Sequence, residues 1–240
     1  MEEKVFPVTG KLRVFLGWLQ NHGLLHFDSR GMGGVSQTFP FFHNYALTYA
    51  VSCWGNYTVK GSTPRYWQDR DSEFNQLPVY TTPAHPLHNP RFQLLTKMAL
   101  NDFAMTPTRS EYKNRPNLSK VKCLDLYVSR KRDGYFFVVF VLDTSFVPPA
   151  VFRLGKRDTP MRAEWQEVSN PKIFFSTSPQ QIIHCVNPLD VAGDFTGGQP
   201  EPMPPFLLMR DVCIANDYFL DTERGLVHVP NLVLRRLGIL

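Results

Sequence analysis

The residues that could perform catalysis form no recognisable catalytic motif in this sequence. It contains neither a Gly-x-Ser-x-Gly nucleophile segment nor a His-Glu-x-x-His zinc motif. His85 and His88 have the i, i+3 spacing of helical metal ligands, but the proline-rich segment around them cannot hold a helix. The four cysteines are scattered without a Cys-x-x-Cys pair, which favours isolated buried thiols over a zinc site or a disulfide framework. We therefore expect no metal and no cofactor.

Five side chains remain as candidates for metal-independent RNA cleavage. Such a reaction needs only a histidine, tyrosine or lysine near the scissile 2′-hydroxyl group. The candidates are scattered along the chain, and no motif distinguishes one from another: His22, His26, His43, Tyr66 and Tyr112. The residues alone neither identify nor exclude a metal-independent endoribonuclease, which stays open as an alternative function.

Basic residues are concentrated in the middle of the chain. The net charge is +8 over residues 91–162, against +1 over 1–90 and −4 over 163–240. A local excess of lysine and arginine is typical of surfaces that bind phosphate backbones, although a merely solvated basic surface has the same composition. The candidate cations fall into three groups: Arg109, Arg115, Lys120 and Lys122; then Arg130, Lys131 and Arg132; then Arg153, Lys156, Arg157 and Arg162.

Two segments have features that suit nucleic acid. In the loop at 153–162, Lys156 and Arg157 follow a glycine, so backbone amides and cations can face phosphates together. Tyr66 and Trp67 follow an arginine directly, an arrangement that suits base stacking with a phosphate contact but also ordinary packing in a core.

The composition is that of a globular, strand-rich protein. Of the 240 residues, 43% are hydrophobic and 20% are charged, which excludes wholesale disorder. The 20 prolines and the 13% aromatic share favour strands and loops over a helical bundle. Residues 31–59 carry no charge but are interrupted by polar residues and proline, so we expect a buried segment rather than a membrane span. Since no secretory signal is visible, we expect a cytoplasmic protein with no membrane association, folded as a single domain over 1–240.

Hydrophobic periodicity predicts a few elements in the first half of the chain. Residues 11–19 begin with alternating polar and apolar residues and predict an opening strand. The segment from Pro40 to Cys53 has an apolar stripe at helical spacing and predicts a core helix. Periodicity does not decide between a strand and a short helix over 91–104, and polar composition predicts an exposed, basic excursion over 105–120.

A hairpin is predicted in the second half of the chain. Residues 124–128 alternate between apolar and polar, residues 135–142 are nearly all apolar, and an Asp-Gly pair precedes the second run. The second strand is expected to be central in the sheet because both of its faces are apolar. The basic turn at 130–132 is expected to face solvent unless it contacts nucleic acid. The remaining short apolar runs predict strands and turns, which gives an α+β fold with a mainly antiparallel sheet and few helices.

Four segments of the sequence, in order, resemble the small Csc-type subunit of type I-D CRISPR surveillance complexes. Residues Phe41–Ala50 are similar to the family's HNYALTYAL segment, and Val79–Ala84 to its YVTPA step. Residues Arg153–Lys156 with Arg162–Glu164 resemble its RLGK…ARVE run, and Asn187–Asp190 resemble its NPLD tetrapeptide. Together these segments span most of the chain.

The resemblance implies a RAMP-superfamily protein with a modified ferredoxin-like (RRM-type) antiparallel sheet and an inserted thumb-like hairpin, here placed at 105–120. It implies a CRISPR RNA-binding subunit that caps the 5′ handle of the guide RNA and anchors the backbone subunits and the large subunit. The expected partners are the CRISPR RNA, a multi-copy backbone subunit and the large subunit, with target DNA contacted indirectly near the protospacer-adjacent duplex. A separate endonuclease normally cuts the precursor in this subtype, so the chain should be non-catalytic.

The resemblance transfers the role of few individual residues. Around Lys156 it supports a phosphate contact shared with Arg157 and Arg162, whereas the other cations rest on charge alone. Arg30, in a glycine-rich segment without the lysine and serine of a P-loop, is the nearest equivalent of an arginine in the family's REIGR-like segment. Besides the endoribonuclease, a structural bridge whose basic surface meets an acidic protein remains an alternative.

Overall fold

The computed structural model describes residues 5–8, 10–27, 29–32, 35–52, 74–99, 117–125, 132–155 and 159–240, with the backbone alone at 30–32, 97–99 and 117–119. Within these ranges the chain is strand-rich, which confirms the α+β class with mainly antiparallel sheets. The strands are β1 (Val5–Pro7), β2 (Arg13–Asn21), β3 (Arg30–Met32), β4 (Val35–Gln37), β5 (Val79–Thr81), β6 (His85–Pro86), β7 (Phe92–Ala99), β8 (Asn117–Leu124), β9 (Tyr135–Val141), β10 (Val151–Leu154), β11 (Thr159–Glu167), β12 (Lys172–Ser176), β13 (Gln180–Gln181), β14 (Asp194–Thr196), β15 (Gln199–Glu201), β16 (Leu208–Arg210), β17 (Cys213–Ala215), β18 (Asp217–Thr222) and β19 (Gly225–His228). The helices are α1 (Asn44–Val51), a 3₁₀ helix (Pro188–Asp190) and α2 (Asn231–Leu237).

The central sheet has the strand order β10-β11-β2-β9-β5, and all of its neighbouring strands are antiparallel. Along the chain, β2, β5, β9 and β11 are the first, second, third and fourth of these strands. Across the sheet they lie in the order 4-1-3-2, that is β11-β2-β9-β5, which is the order of a ferredoxin-like sheet. Helix α1 lies in the connection from β2 to β5. The connection from β9 to β11 contains β10 where a ferredoxin-like fold has its second helix. The modified ferredoxin-like sheet implied by the resemblance is therefore confirmed.

Both faces of the central sheet are covered. Along β2, Leu16 and Trp18 belong to one hydrophobic cluster, and Phe15 and Leu19 belong to another. The first cluster includes residues of a second antiparallel sheet, β1-β12-β18-β19, and of α2, whereas the second includes residues of α1 and β10. All seven residues of β9 are buried, which confirms its predicted central position. Since RRM proteins stack RNA bases on an open sheet face, the covered strands of this sheet cannot bind RNA in that way.

A further four-stranded sheet is built on a hairpin inserted between β5 and β9. Its strand order is β3-β4-β8-β7, with β7 and β8 antiparallel and β4 and β8 parallel. The undecided segment 91–104 thus contains a strand, and β8 begins at Asn117, inside the predicted 105–120 excursion. Residues 100–116 connect these two strands and lie outside the described residues, so the thumb-like excursion stays a prediction.

The predicted hairpin between residues 124–128 and 135–142 is wrong in the described pairings. Strand β9 pairs with β2 on one side and with β5 and β6 on the other, whereas β8 pairs with β7 and β4. Both edges of β9 are therefore occupied by strands of the central sheet, and no edge is left for the strand that precedes it. Residues 126–131 lie outside the described residues.

The helices differ from the sequence-based expectation. Helix α1 begins at Asn44 rather than at Pro40, because His43 is its N-cap and its Nδ1 accepts the N–H of the second helical residue at 3.3 Å. Helix α2 was not anticipated, although its ends carry the usual signals. Pro230 precedes its first turn, and Gly238 follows its last turn in the left-handed conformation, with φ of 70°.

A buried polar network joins α1, the central sheet and the 3₁₀ helix. Asn44 Nδ2 donates to Tyr80 Oη at 3.0 Å and to Asp190 Oδ2 at 2.8 Å, and the Tyr80 hydroxyl donates to Asp190 Oδ1 at 2.8 Å. Asn187 Nδ2 donates to Asn44 Oδ1 at 3.3 Å. Because a buried carboxylate without donors is strongly unfavourable, the fold depends on these segments meeting. They are three of the four segments that carry the family resemblance, so those motifs serve the fold.

Replacing Tyr45 with alanine is expected to destabilise the protein without a specific loss of RNA affinity. Tyr45 is 1% exposed and its ring centroid lies 4.9 Å from that of Phe74. Removing the ring should cost about 3–5 kcal/mol of unfolding free energy, because the packed surroundings cannot close the cavity. Thermal melting combined with an RNA titration measures both effects. A Tyr45→Ala protein that melts like wild type yet loses RNA would contradict this assignment to the core.

Removing only the Tyr80 hydroxyl is expected to destabilise the fold through the polar network. In Tyr80→Phe, Asn44 and Asp190 each lose a partner in a buried environment, which should cost about 1–3 kcal/mol in denaturant unfolding. The matched control is Tyr218→Phe, since the Tyr218 hydroxyl forms no hydrogen bond within the described ranges. Equal stability losses in the two variants would count against the network as the cause.

Candidate nucleic-acid interface

The β10–β11 hairpin presents arginines on its outer face. Phe152 and Leu154 of β10 are buried, and Arg153 between them is exposed. On β11, Arg162 is exposed and lies opposite Val151 in the strand register. Two of the four cations predicted in this loop therefore lie on one side of the hairpin. Residues 156–158, which include Lys156 and Arg157, lie outside the described residues.

Gly155 determines how this hairpin begins its turn. Its φ is 79°, a left-handed conformation that other residues rarely adopt. An added Cβ would lie 2.8 Å from the carbonyl oxygen of His26 and 2.8 Å from a methyl group of Leu25. The glycine thus lets the hairpin approach the segment that follows β2.

The inserted sheet presents lysines beside apolar side chains. On β8, Lys120 is exposed and Lys122 is half-buried, whereas the alternate residues Val121 and Cys123 are buried. Lys122 Nζ lies 4.5 Å from the ring centroid of Phe92 on β7, within cation–π range. Leu94, opposite Lys122 in the register, is 59% exposed. We call Lys120, Lys122, Phe92 and Leu94 the lysine surface. Cations beside apolar and aromatic side chains can contact both phosphates and bases of a single strand.

Arg30 lies in the same cross-strand row as Lys122. Backbone pairing places Arg30 opposite Gln37 on β4, and Gln37 opposite Lys122 on β8. The row continues to Leu94 on β7. The strand register thus places the predicted arginine on the sheet that carries the lysine surface.

One short segment, Leu24–His26, links the hairpin to the lysine surface. The Thr159 hydroxyl at the start of β11 donates to the Leu24 carbonyl at 2.9 Å. Leu25 forms a bridge with Leu124 at the end of β8, with N···O distances of 2.9 and 2.8 Å. The base of the basic loop and the end of the lysine strand therefore adjoin through this segment, although they are far apart in sequence.

Arg132 is held against the central sheet and does not extend freely into solvent. Its guanidinium carbon lies 4.6 Å from the ring centroid of Trp18, and its Nη1 donates to Gln166 Oε1 at 2.9 Å. Its backbone φ is 67°. The other predicted cations, Arg109, Arg115, Arg130 and Lys131, lie outside the described residues. Sequence reasoning missed Arg224, which approaches the same indole from the β18–β19 turn, because it belongs to the acidic third of the chain.

The histidines proposed for RNA cleavage are not assembled into a catalytic group. His43 is buried as the cap of α1, and burial lowers its pKa to about 3. His26 is buried with Nε2 3.2 Å from Ser36 Oγ, and His22 is exposed after β2. Tyr66 and Tyr112 lie outside the described residues, as does Trp67.

A cleft of about 870 Å³ separates the inserted sheet from the C-terminal strands. Its lining includes His85 and His184, and burial is the main cause that lowers their pKa values, to about 4 and about 3. His184 is held in the neutral form that carries its hydrogen on Nδ1. Its Nδ1 lies 2.7 Å from the Cys185 carbonyl oxygen and donates to it, and its Nε2 accepts the His228 N–H at 3.1 Å. Histidines with pKa values this low are weak general bases.

The described residues form neither a metal cluster nor a membrane-spanning helix. Within the described ranges, no three or more His, Cys, Asp or Glu side chains are grouped closely enough to hold a metal ion. In the same part of the chain, no helix has both the length and the apolar character needed to cross a bilayer.

Comparison with known proteins identifies the family. A family model described as Type I-D CRISPR-associated protein Cas5/Csc1 matches residues 13–233, so the chain belongs to this family and the resemblance of its four segments is confirmed. No curated protein matches the sequence. Among solved structures, the chain is similar to a chain in the cryo-EM structure of the Type III-B Cmr-beta bound to cognate target RNA and AMPPnP, with a TM-score of 0.40 and 11% identity, over 95% of this chain and 92% of that one.

The free energy of unfolding is expected to decrease as the pH is lowered below 6.5. The reason is that three histidines bind protons in the unfolded chain but stay neutral in the folded protein, where they are buried. The pKa values of His43, His85 and His184 lie at about 3 to 4 in the folded state, against 6.5 ordinarily. Above pH 6.5 the neutral histidines contribute fully to the free energy of unfolding. Below pH 6.5 each histidine should lower this free energy by about 1.4 kcal/mol per pH unit, until its pKa in the folded state is reached. Denaturant unfolding at pH 7.5, 6.5 and 5.5 measures the slope.

A matched pair of variants isolates this effect. His43→Asn keeps an acceptor for the helix cap but removes the titrating ring, so its stability should fall less steeply below pH 6.5. The control is His88→Gln, which replaces an exposed histidine. Constant wild-type stability between pH 7.5 and 5.5 would show that these histidines are not held neutral.

Proposed function

We propose that this member of the type I-D Cas5/Csc1 family is a non-catalytic subunit that binds the 5′ handle of the CRISPR RNA. The outer face of the β10–β11 hairpin and the lysine surface form the RNA site. Arg153 and Arg162 hold phosphates together with Lys156 and Arg157 of the same loop, and the lysine surface receives the adjoining nucleotides. Target DNA is met only through the rest of the complex.

The observation that carries this proposal is that two basic segments far apart in sequence adjoin at Leu24–His26. Thr159 and Gly155 bring the hairpin to this segment, and Leu124 brings β8 to it. A bound strand can therefore contact both groups of cations without crossing the covered faces of the central sheet. The mixture of cations with Phe92 and Leu94 suits single-stranded RNA, whose bases are exposed.

The capping role also requires protein partners. The expected partners are a multi-copy backbone subunit and the large subunit of a type I-D complex. Several large apolar side chains are exposed, which is typical of surfaces that other proteins cover. One of them, Val151, lies directly opposite Arg162 in the strand register, so protein and RNA contacts adjoin.

The low pKa values of the cleft histidines and the use of His43 as a helix cap support a non-catalytic role. A general base should have a pKa near the working pH, whereas burial keeps His85 and His184 far below it. Cleavage of precursor RNA remains the alternative that the following experiment tests directly.

The deciding experiment uses a labelled precursor RNA that contains one full repeat, split between a native and a denaturing gel. A second RNA carries a scrambled 5′ handle. We expect a shift that prefers the true handle and no cleavage. The shift should weaken with salt with a slope of roughly −0.7 per phosphate contacted. Metal-independent cleavage at one repeat position, or equal shifts of both RNAs, would overturn the proposal.

Paired substitutions locate the site. Arg153→Gln with Arg162→Gln, and Lys120→Gln with Lys122→Gln, should each weaken the shift and reduce the salt slope. Lys172→Gln is the control, since Lys172 is an exposed cation on β12 of the second sheet. A control variant that loses as much affinity as the paired variants would indicate diffuse attraction without a defined site.

A further inference from the structure

Two arginines from distant parts of the chain converge on one indole ring. The guanidinium carbon of Arg132 lies 4.6 Å from the ring centroid of Trp18, and that of Arg224 lies 5.4 Å from it. Arg224 also lies 5.5 Å from the ring centroid of Phe136, which is opposite Trp18 in the register of β2 and β9. Arg132 precedes β9 and Arg224 lies in the turn between β18 and β19, so only the tertiary structure brings them together. We call Arg132 and Arg224 the arginine pair.

A chain of hydrogen bonds connects Arg132 to the turn that carries Arg224. Arg132 Nη1 donates to Gln166 Oε1 at 2.9 Å, and Gln166 Nε2 donates to Glu223 Oε2 at 2.7 Å. Glu223 is the neighbour of Arg224 in the same turn. Trp18 itself is 1% exposed, and its Nε1–H has no acceptor within the described ranges. The indole ring is thus held in place by packing, and both guanidinium groups contact it.

The stacked arrangement leaves hydrogen-bonding capacity unused. A guanidinium stacks through its flat face, whereas its N–H donors lie along its edge and match the oxygens of phosphate. Within the described residues, Arg132 uses one of these donors, and the side chain of Arg224 forms no hydrogen bond or ion pair. Both side chains are exposed. The pair is therefore oriented in advance to receive anionic oxygens.

The surroundings of the pair favour phosphate over a protein carboxylate. Arg162 lies on the same face of the central sheet, opposite Gln20, two residues along from Glu164, which is opposite Trp18. Glu223 accepts a hydrogen bond from the Gln166 amide at 2.7 Å, and Glu164 is a second carboxylate on this face. Arg162 continues the row of cations toward the β10–β11 hairpin, so the arginine pair adjoins the proposed RNA site.

We propose that the arginine pair holds successive phosphates of the bound RNA and does not read its sequence. This inference rests on the proposed function, because it takes the strand that leaves the hairpin as the ligand. The indole is buried beneath the cations, so it is not available for base stacking, and what the surface offers outward is guanidinium edges. Contacts of this kind position a strand without selecting bases.

The test compares Arg224→Gln with Arg224→Lys and with wild type in RNA titrations at several salt concentrations. Arg224→Gln should weaken binding by about tenfold at low salt and reduce the magnitude of the salt slope by about 0.7. The loss should be the same for the true and the scrambled handle. Arg224→Lys keeps the charge but lacks the planar group, so it should recover only part of the affinity.

Controls separate this role from a structural one. Arg235→Gln changes an exposed arginine in the last turn of α2 and should leave the salt slope unchanged. Melting curves report any loss of stability from the lost stacking, which cannot by itself change the salt slope of the folded protein. An unchanged slope in Arg224→Gln would overturn the proposal, as would a loss confined to the true handle. A loss confined to duplex DNA in a parallel titration would also overturn it.

The outcome is distinguishable from a failure of the proposed function. If wild type binds the true and the scrambled handle equally, the capping role fails, yet the dependence of RNA affinity on Arg224 can still be read. If the handle preference is present and Arg224→Gln behaves as wild type, the capping role stands and the arginine pair is only a cover for Trp18.

Discussion

The rest of the structure depends on the burial of one carboxylate, that of Asp190. A charge removed from water must be matched by donors, and here these are the Asn44 amide at 2.8 Å and the Tyr80 hydroxyl at 2.8 Å. The donors come from the start of α1 and from β5, and the acceptor comes from a 3₁₀ helix more than a hundred residues later. Hydrophobic packing alone would tolerate small shifts between these elements. The hydrogen-bond network does not tolerate such shifts, because its donors and acceptors must stay within bonding distance. It therefore fixes how the C-terminal strands lie against the central sheet.

This fixed arrangement decides where nucleic acid can be bound. The second sheet and α2 cover one face of the central sheet, and α1 packs against the other. The open sheet face of an RRM is therefore replaced by packing, and the cations lie on what remains exposed: the β10–β11 hairpin at the sheet edge and the inserted sheet beside it. The hairpin and the inserted sheet both contact residues 24–26. Gly155 allows the hairpin to do so, because the absence of a side chain lets it approach the His26 carbonyl.

The sequence contained the information for single elements but not for their pairing. Strand β9 could be predicted as central because it is apolar on both faces, and that property follows from local composition alone. Its partners could not, since an Asp-Gly turn signal says nothing about competition from β2 and β5 for the same edges. Helix α2 carried readable signals in Pro230 and Gly238, but seven residues were too short for periodicity to separate from a strand. Of the site, Arg153, Arg162, Lys120 and Lys122 were predicted, but the contacts that join their strands through residues 24–26 were not.

The motifs that identify the family and the residues that meet its ligand are for the most part different residues. Phe41–Ala50, Val79–Ala84 and Asn187–Asp190 supply the members of a buried polar network, in which each side chain has a specific partner. A surface cation is not restricted to one position in this way, since a lysine or arginine can contact the same phosphate from several positions on the surface. Net charge is an equally poor guide to them: Arg224 belongs to a segment of net charge −4, yet it shares an indole with Arg132 from the basic middle of the chain. What gives a cation a role in binding is the side chain that holds it in place, and that support is defined only once the strands have paired.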